Sequence, residues 1–302
     1  DAHAVQLEVA EDAAPGAQLD EVAGLEGRVG EIGLEVGVAG LDGPHHDVDA
    51  EAVLANATLV RERLAPWRDA NDPPLRIVVD DGWQLAWGDW WPNAKFPNGL
   101  DGLADVLHAD GFEAGVWFAP LLVAANSAFA AEHEAWFVAG ASWFHPSQGN
   151  MRILDVTHPD AAAHLSETVA RIVGWGLDFL KIDFLFAGAF PGEHHEPVTP
   201  MEHYDSALAL IREAAGDETL ILAVGAPQIP TLEHVDAWRV GNDIAVEPLD
   251  VVWAYLPHQL RNVAARWMVC RATLCDADPP MLRALTPDEV ATGGWIAASA
   301  GG

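Results

Sequence analysis

The sequence predicts an α/β fold of the TIM-type (β/α)8 barrel class, built on a parallel sheet. Short apolar runs alternate along the chain with amphipathic helical segments, which is the pattern of repeated βα units. The runs at residues 75–80 and 177–183 are the clearest strands, because apolar and β-branched residues dominate them. Aspartates stand at the ends of these runs, and the carboxyl ends of the strands are the face of a parallel barrel where chemistry occurs.

The individual elements follow from local signals taken in chain order. Strands are predicted at residues 31–39, 75–80, 113–118, 177–183, 219–224, 235–240 and 269–274, with a short extra strand at 151–155. Helices are predicted at residues 50–64, 100–109, 128–138, 159–175, 199–215, 251–268 and 286–298. Asp47 or Asp49 is expected to cap the first helix, and Thr199 precedes a proline at the start of the fifth. Gly216 ends the fifth helix, whereas Pro257 should break or kink the sixth.

The strand count predicts an incomplete barrel. Seven main strands are predicted, whereas a closed barrel of this class needs eight. We therefore expect an eighth βα unit to follow Gly302 in a longer parent chain, so that residues 31–302 form a barrel truncated at its C-terminus. Residues 1–30 are acidic and rich in Gly and Ala, and they are interpreted as a lead-in or as the remnant of a preceding β domain.

The charge balance is strongly acidic, with 46 Asp and Glu against 15 Lys and Arg and a formal net charge of -31. Such a surface repels nucleic acid and anionic membranes, so neither is expected as a partner. It suits a protein that works in concentrated salt, where self-repulsion is screened. The 13 Trp and 10 Phe argue for a packed core over a disordered acidic chain. We expect a cytoplasmic location in a salt-adapted cell, with secretion left open.

The two cysteines, Cys270 and Cys275, form no CxxC motif and no zinc spacing. Their low number suits a reducing compartment, although two cysteines leave a disulfide possible. No apolar stretch approaches the roughly 20 residues of a membrane helix. The oligomeric state does not follow from the sequence.

Three segments bring carboxylates to predicted strand ends. They carry Asp80, Asp81 and Trp83; Lys181 and Asp183; and Arg239 and Asp243. Residues two apart on a strand share a face, so Lys181 and Asp183 should both point into the barrel mouth. Two carboxylates at such a site, one ionised and one protonated, are what cleavage of a glycosidic bond with retention requires. Carboxylates and aromatic rings also suit sugar hydroxyls and the apolar face of a sugar.

Each of these features also has a purely structural interpretation. Lys181 and Asp183 could form an ion pair that lines the barrel, and Asp243 could belong to an ordinary turn. The cluster of Trp87, Trp90 and Trp91 in the next loop is interpreted as a binding wall rather than as core.

The paired histidines are expected to be surface loop residues. Neither His45-His46 nor His194-His195 shows the spacing of a metalloenzyme motif. We therefore predict no catalytic metal. Phosphate-binding loops of the GxGxxG or Walker type are missing from the sequence, and no cofactor is expected.

The motifs together resemble the α-galactosidase (melibiase) clan of retaining glycoside hydrolases, most closely glycoside hydrolase family 36. The matching stretches are VVDDGWQ at 78–84, GDWWPNAKFPNGL at 88–100, GFEAGVWFAP at 111–120, ILDVTHP at 153–159, DFLKIDF at 178–184, GAP at 225–227 and DAWRVGNDIA at 236–245. They occur in the order of the family and span about residues 40–285, most of the chain. The resemblance implies a (β/α)8 barrel that cleaves terminal α-galactosides.

The resemblance also implies roles for the site residues. Asp183 matches the nucleophile and Asp243 the acid/base. It implies substrate-binding roles for Asp80, Asp81, Lys181 and Arg239. The aromatic rings of Trp83 and Trp117 are also predicted to bind the substrate. Val224 departs from the family pattern, since many members have a cysteine there. A galactosyl transglycosylase of the raffinose-synthase type and a sugar-binding barrel without turnover are the alternatives.

Overall fold

The computed structural model describes residues 35–38, 48–64, 74–243 and 256–278, with residues 286 and 288 in addition. The predicted lead-in at residues 1–30 lies outside the described residues, as does almost all of the predicted helix 286–298. The predicted eighth βα unit, expected after Gly302, also lies outside the described residues. No helix in the described parts of the chain is long and apolar enough to cross a bilayer.

The described chain contains twelve strands, which we number in chain order. They are β1 (Glu35–Val38), β2 (Leu75–Val79), β3 (Gln84–Ala86), β4 (Asp89–Pro92), β5 (Phe112–Phe118), β6 (Leu122–Ala124), β7 (Trp143–His145), β8 (Gly149–Ile153), β9 (Phe179–Ile182), β10 (Leu220–Ala223), β11 (Ala237–Arg239) and β12 (Leu274–Asp276). Seven of them form the main sheet, in the order β1-β2-β5-β9-β10-β11-β12. The order along the sheet follows the order along the chain, which is the barrel arrangement. A doubly wound sheet would instead reverse at a switch point.

Helices follow most of these strands. They are α1 (Ala50–Leu64), α2 (Gly99–Ala109), α3 (Ala128–Glu132), α4 (Pro159–Gly174), α5 (Pro200–Ala215), α6 (Gln228–Thr231) and α7 (Leu256–Arg266). The Asp49 side chain accepts a hydrogen bond from Ala52 N at 2.7 Å, which confirms one of the two predicted caps of α1. Thr199 caps α5 in a reciprocal capping box with Glu202, so the predicted start of this helix is confirmed.

The chain divides into two compact units. The first unit contains residues up to 80, 106–114 and from 237 onward, and within it β1 pairs with β2 and β11 with β12, both in parallel. The second unit contains residues 81–105 and 115–236. Within it β9 lies between β5 and β10, again in parallel.

The core of the second unit lies between the parallel strands and two long helices. The buried side chains of these strands include Val116, Phe118, Leu180, Ile182 and Leu222. Helices α4 and α5 contribute Leu165, Val169, Ile172, Tyr204, Leu208 and Ile211. Each fully buried side chain of this size stabilises the fold by about 1.5–3 kcal/mol relative to the exposed state. The strand that carries Lys181 is therefore held rigidly on both sides.

Two predicted elements are wrong. The predicted helix 128–138 ends at Glu132 and is followed by a single 3-10 turn, Glu134–Trp136, because Phe137 turns away to pair with Leu154. The predicted strand 269–274 is instead a 3-10 turn, Val269–Arg271, followed by β12. A disulfide joins Cys270 to Cys275, in contrast to the reduced cysteines that a reducing compartment favours.

The sequence predicts few of the antiparallel elements of the second unit. Strands β3 and β4 form a hairpin, and β6, β8 and β7 form a separate three-stranded sheet. Only β8 was expected, as the extra strand at 151–155. These strands are three to five residues long, which is too short for a periodicity signal.

Candidate active site

Asp183 follows directly after β9, half-buried at the carboxyl end of the strand. Both of its carboxylate oxygens accept hydrogen bonds. Trp117 Nε1 donates to Oδ2 at 3.0 Å, and the backbone N–H of Phe184 donates to Oδ1 at 2.5 Å. The backbone N–H of Asp183 donates to Phe118 O at 3.0 Å. Such bonds stabilise the charged carboxylate and fix its orientation, and both are needed in a nucleophile.

Phe184, the residue after Asp183, has a left-handed backbone with φ 54°. A bulky residue rarely adopts this conformation, so the surrounding structure must enforce it. The following segment is bonded to the loop after β10, where Leu185 N donates to Val224 O at 3.4 Å and Phe186 N to Gly225 O at 2.7 Å. The turn at Phe184 aims its backbone N–H at Asp183, and no sequence signal indicated it.

Aromatic rings surround this part of the site. Trp117 lies 5.1 Å from Trp87 and 6.4 Å from Phe184, measured between ring centroids. Phe184 in turn lies 5.2 Å from Trp87 and 5.2 Å from Trp143. His145 completes the group at 5.0 Å from Trp87. Trp87 and Trp117 are buried, so they pack behind the carboxylate, whereas Trp143, His145 and Phe184 are half-buried and are the rings of this cluster that could face a sugar.

Asp81 begins the turn after β2 and is half-buried. Its Oδ1 accepts hydrogen bonds from Gln84 Nε2 at 2.6 Å and from Trp87 Nε1 at 3.1 Å. Gln84 Oε1 also accepts a hydrogen bond from the backbone N–H of Gly82, which has φ 114° and so requires glycine. The loop thus holds Asp81 in one orientation. Asp80, half-buried in the first unit, immediately follows the last residue of β2.

The neighbouring tryptophans are largely core residues. Trp83 is 0% exposed and its Nε1 donates to Trp117 O at 2.7 Å, so the predicted stacking of Trp83 on a sugar has no support in this arrangement. Trp87 and Trp90 are also buried, which corrects their interpretation as an exposed binding wall. Trp91 is 48% exposed, but it packs against the Arg171 guanidinium at 4.1 Å. A surface position was expected because these tryptophans stand in a polar loop. The loop folds back onto the core, so Trp87 and Trp90 are buried.

Lys181 lies within β9 and is buried, with 6% of the residue exposed. Its register partners are Trp117 on β5 and Leu222 on β10. Lys181 and Trp117 therefore lie side by side on adjacent strands, and Trp117 donates to Asp183. The structure thus brings Asp81, Trp117, Lys181 and Asp183 to the carboxyl end of neighbouring segments of the second unit.

Arg239 is the centre of a cluster in the first unit. Its Nε donates to Asp276 Oδ2 at 2.5 Å, and its Nη1 lies 2.8 Å from Asp278 Oδ1 and 3.1 Å from Asp243 Oδ1. Burial disfavours the charged guanidinium, but the three carboxylates outweigh burial and raise the pKa of Arg239 above its usual value. Asp243 is the exposed member, with 63% of its side chain accessible. Asp276 and Asp278 were not among the predicted site residues.

The loop that carries Asp243 is held by Gln259 of α7. Gln259 Nε2 donates to Asn242 O and to Ala277 O, both at 2.6 Å. A Cβ at Gly241 would overlap the Gln259 carboxamide, so this close approach requires glycine. Nothing in the sequence indicates this role of Gln259, because a lone glutamine in a helix carries no recognisable motif. Gln259 therefore ties the segment that carries Asp243 to the segment that carries Asp276 and Asp278.

Comparison with known proteins connects this arrangement to a family. Residues 71–188 match the family model described as Melibiase. The structure resembles that of TtGalA, the α-galactosidase from Thermus thermophilus in complex with stachyose, with a TM-score of 0.72 and 28% identity over 85% of this chain. The chain resembles the melibiase clan, most closely its family 36 members. AgaA from Geobacillus stearothermophilus is 31% identical over 105 residues, and its crystal structure shares the fold with a TM-score of 0.65.

The chain corresponds to only a part of these melibiase relatives. The structural match covers 57% of the Thermus chain. The sequence match to AgaA covers 32% of this chain but only 14% of AgaA. Mel36A from Lactobacillus acidophilus is 29% identical over 148 residues, which is 20% of its length. The predicted family and the predicted barrel class are confirmed, while activity and substrate have to be argued from the site.

Proposed function

We propose that this chain supplies the catalytic barrel of a retaining glycoside hydrolase that cleaves terminal α-galactosidic bonds. The observation that carries the proposal is the environment of Asp183. A half-buried carboxylate stands at a strand end, each of its oxygens accepts an N–H hydrogen bond, and aromatic rings surround it. The strand that delivers it also carries a buried lysine. This is a preorganised anion, as an enzymatic nucleophile needs to be.

In the first step, one Asp183 oxygen attacks the anomeric carbon of the terminal galactose. The bond from this carbon to the leaving oxygen breaks, and Asp243 donates its proton to that oxygen, so that the aglycone leaves as an alcohol. In the second step Asp243 accepts a proton from water, and the resulting hydroxyl replaces Asp183 on the anomeric carbon. Both aspartates return to their starting states, and the product keeps the α configuration.

The side chains around Arg239 position Asp243 for the acid/base role. Asp276 and Asp278 hold the Arg239 guanidinium at 2.5 and 2.8 Å, and its Nη1 lies 3.1 Å from Asp243 Oδ1. Asp243 is the exposed carboxylate of the three, with 63% of its side chain accessible, so it is the one that a leaving oxygen can reach.

The choice of an α-galactoside rests on the relatives. The Thermus enzyme was crystallised with stachyose and with p-nitrophenyl α-galactopyranoside, and it is 28–29% identical to this chain. In this chain, Asp81 is the group we assign to a sugar hydroxyl. It has a fixed orientation and accepts hydrogen bonds, as recognition of a hydroxyl requires.

The test compares Asp183→Ala with the unchanged protein on p-nitrophenyl α-galactoside in high salt. We expect turnover to fall by several orders of magnitude, because no other group can form the covalent intermediate. Added azide should partly restore product formation and yield the galactosyl azide. The control is Asp217→Ala, which removes an exposed aspartate outside the motifs and should leave turnover unchanged. Near-normal turnover of Asp183→Ala would show that Asp183 is structural and would end the proposal.

A further inference from the structure

A second group of chemically active side chains lies outside the proposed mechanism. Asp155, His194 and His203 each place one ligand-type atom within 4.8 Å of those of the other two. Asp155 follows β8, His194 belongs to the segment between the 3-10 turn Leu185–Ala189 and α5, and His203 lies in the first turns of α5. The group therefore joins three separate segments of the second unit. It was not predicted, because its members are far apart in the sequence.

Two of the three distances in this group are close to those around a tetrahedral ion. His194 Nδ1 lies 3.5 Å from Asp155 Oδ1, and His203 Nε2 lies 3.7 Å from the same oxygen. Zinc binds histidine nitrogen and carboxylate oxygen at about 2.0–2.2 Å, so two ligands at a tetrahedral angle are about 3.3–3.5 Å apart. Only a small adjustment separates the observed spacing from that of a coordinated ion.

The protonation of His203 is that of a ligand. The backbone N–H of Val156 donates to Nε2 at 3.1 Å, so Nε2 carries a lone pair, and Nδ1–H donates to Gly188 O at 2.7 Å. A ring N–H bonded to a backbone carbonyl is the usual support of a metal-binding histidine.

Asp155 offers the matching anion. Thr157 N and Oγ1 donate to Oδ1 at 3.0 and 2.6 Å, and His195 N donates to Oδ2 at 2.6 Å. A carboxylate that accepts three hydrogen bonds therefore faces two imidazole rings. Charge and donor types together suit a borderline-soft divalent ion.

His194 provides the independent indication of a ligand. Only 2% of its side chain is exposed, and neither ring nitrogen has a hydrogen-bond partner. Its ring lies 4.6 Å from that of His203, between centroids. The expectation that His194 is a surface loop residue is wrong, whereas the adjacent His195 is 44% exposed at its side chain. A buried imidazole without a hydrogen-bond partner is uncommon, and a metal ion at the centre of the group would satisfy its ring nitrogen.

We propose that Asp155, His194 and His203 bind a zinc-type divalent ion that fastens the segment after the nucleophile strand to α5 and to the end of β8. The ion replaces the Val156 N–H at His203 Nε2, because coordination is stronger than one neutral hydrogen bond. A water molecule completes the tetrahedral set of three protein ligands. The role is structural, so it is independent of the proposed catalytic mechanism.

The experiment measures thermal unfolding of the full chain after treatment with a chelator and removal of the chelator. Zinc chloride is then added in steps, in high salt. We expect Tm to rise by about 5–10 °C when free zinc reaches 100 times its dissociation constant. Cobalt chloride should bind at the same site and give the intense visible absorption of a tetrahedral Co²⁺ complex. Calorimetry should give one zinc ion per chain.

Matched variants distinguish this site from other histidines. His194→Ala and Asp155→Asn should both lose the zinc-dependent rise in Tm and the cobalt absorption. His195→Ala, which removes the exposed neighbour, should keep both. The proposal is overturned if zinc leaves Tm of the unchanged protein where it was, or if His194→Ala keeps the response. Loss of the same response in His195→Ala would assign the ion to surface histidines and would overturn the proposal. A His194 ring that remains a protonated imidazolium paired with Asp155 when zinc is present would also overturn the proposal.

Discussion

The contacts of the two aspartates support their proposed roles at the scale of single residues. Asp183 is oriented by Trp117 and by the backbone of Phe184, while Asp243 is the exposed member of a cluster around a buried arginine. The first environment suits the fixed carboxylate that the proposal needs as nucleophile. The second leaves a carboxylate accessible to a leaving group and to water. Different surroundings thus support different proposed roles for two chemically identical side chains.

The distance between these two carboxyl groups is the first prediction. In an experimental structure with a bound galactoside, the Asp183 and Asp243 carboxyl groups should lie about 5–6 Å apart, since the retaining mechanism places no water between them in the first step. A separation near 9 Å in a well-ordered complex would indicate inversion of configuration and would contradict the double displacement.

The second prediction concerns Arg239. Arg239→Ala should lower the free energy of unfolding by about 3–5 kcal/mol, because it leaves the nearly buried carboxylates of Asp276 and Asp278 without their cation. Urea denaturation followed by tryptophan fluorescence measures the loss. Arg261→Ala, at an exposed position of α7, is the control and should change stability by no more than about 0.5 kcal/mol. Equal stability of the two variants would mean that the cluster contributes nothing to folding.

At the scale of secondary structure, the sequence predicted the parts that a burial pattern determines. Strand β9 and helix α5 were predicted almost at their observed bounds, because a run of buried residues and a proline after a capping threonine are local signals. The positions of Asp80 and Asp183 were predicted for the same reason, because each directly follows the end of a buried strand. The burial of Trp83 and the Gln259 contact depend on packing between distant segments, which no local pattern encodes.

The third prediction concerns how His203 of α5 makes the stability of the protein depend on pH. Burial lowers the pKa of His203 below the usual 6.5, despite opposing contributions from Gly188 and Asp155. As pH falls below about 6.5, the unfolded chain binds a proton that the folded chain does not yet bind, so stability decreases with falling pH. His203→Gln should therefore weaken the dependence of unfolding free energy on pH below this value.

The measurement is urea denaturation between pH 7 and pH 5, with a chelator present so that metal binding plays no part. His164 should leave a residual slope, since burial also lowers its pKa. His195→Ala is the control and should keep the slope of the unchanged protein, because that side chain is exposed. An unchanged slope in His203→Gln would show that His203 is not protonated on unfolding in this range.

At the scale of the whole molecule, the charge of -31 dominates solution behaviour. Self-repulsion should be strong in dilute buffer and weak above about 1 M salt, where the Debye length is roughly 3 Å. The fourth prediction is that Tm climbs steeply as KCl is raised from about 0.1 to 2 M. Sorbitol solutions of matched water activity control for general solvent effects. A Tm independent of KCl would remove the argument for salt adaptation and would leave the catalytic argument intact.

The central claim is that Asp183 forms a covalent bond to galactose, and trapping that bond tests it most directly. The protein is incubated with an activated fluorinated α-galactoside, whose fluorine slows hydrolysis of the glycosyl-enzyme, and is then digested for mass spectrometry. We predict one added fluorogalactosyl group per chain, located on the peptide that carries Asp183, and no addition in Asp183→Ala. Turnover of the reagent without a covalent adduct, or an adduct on another carboxylate, would contradict the account.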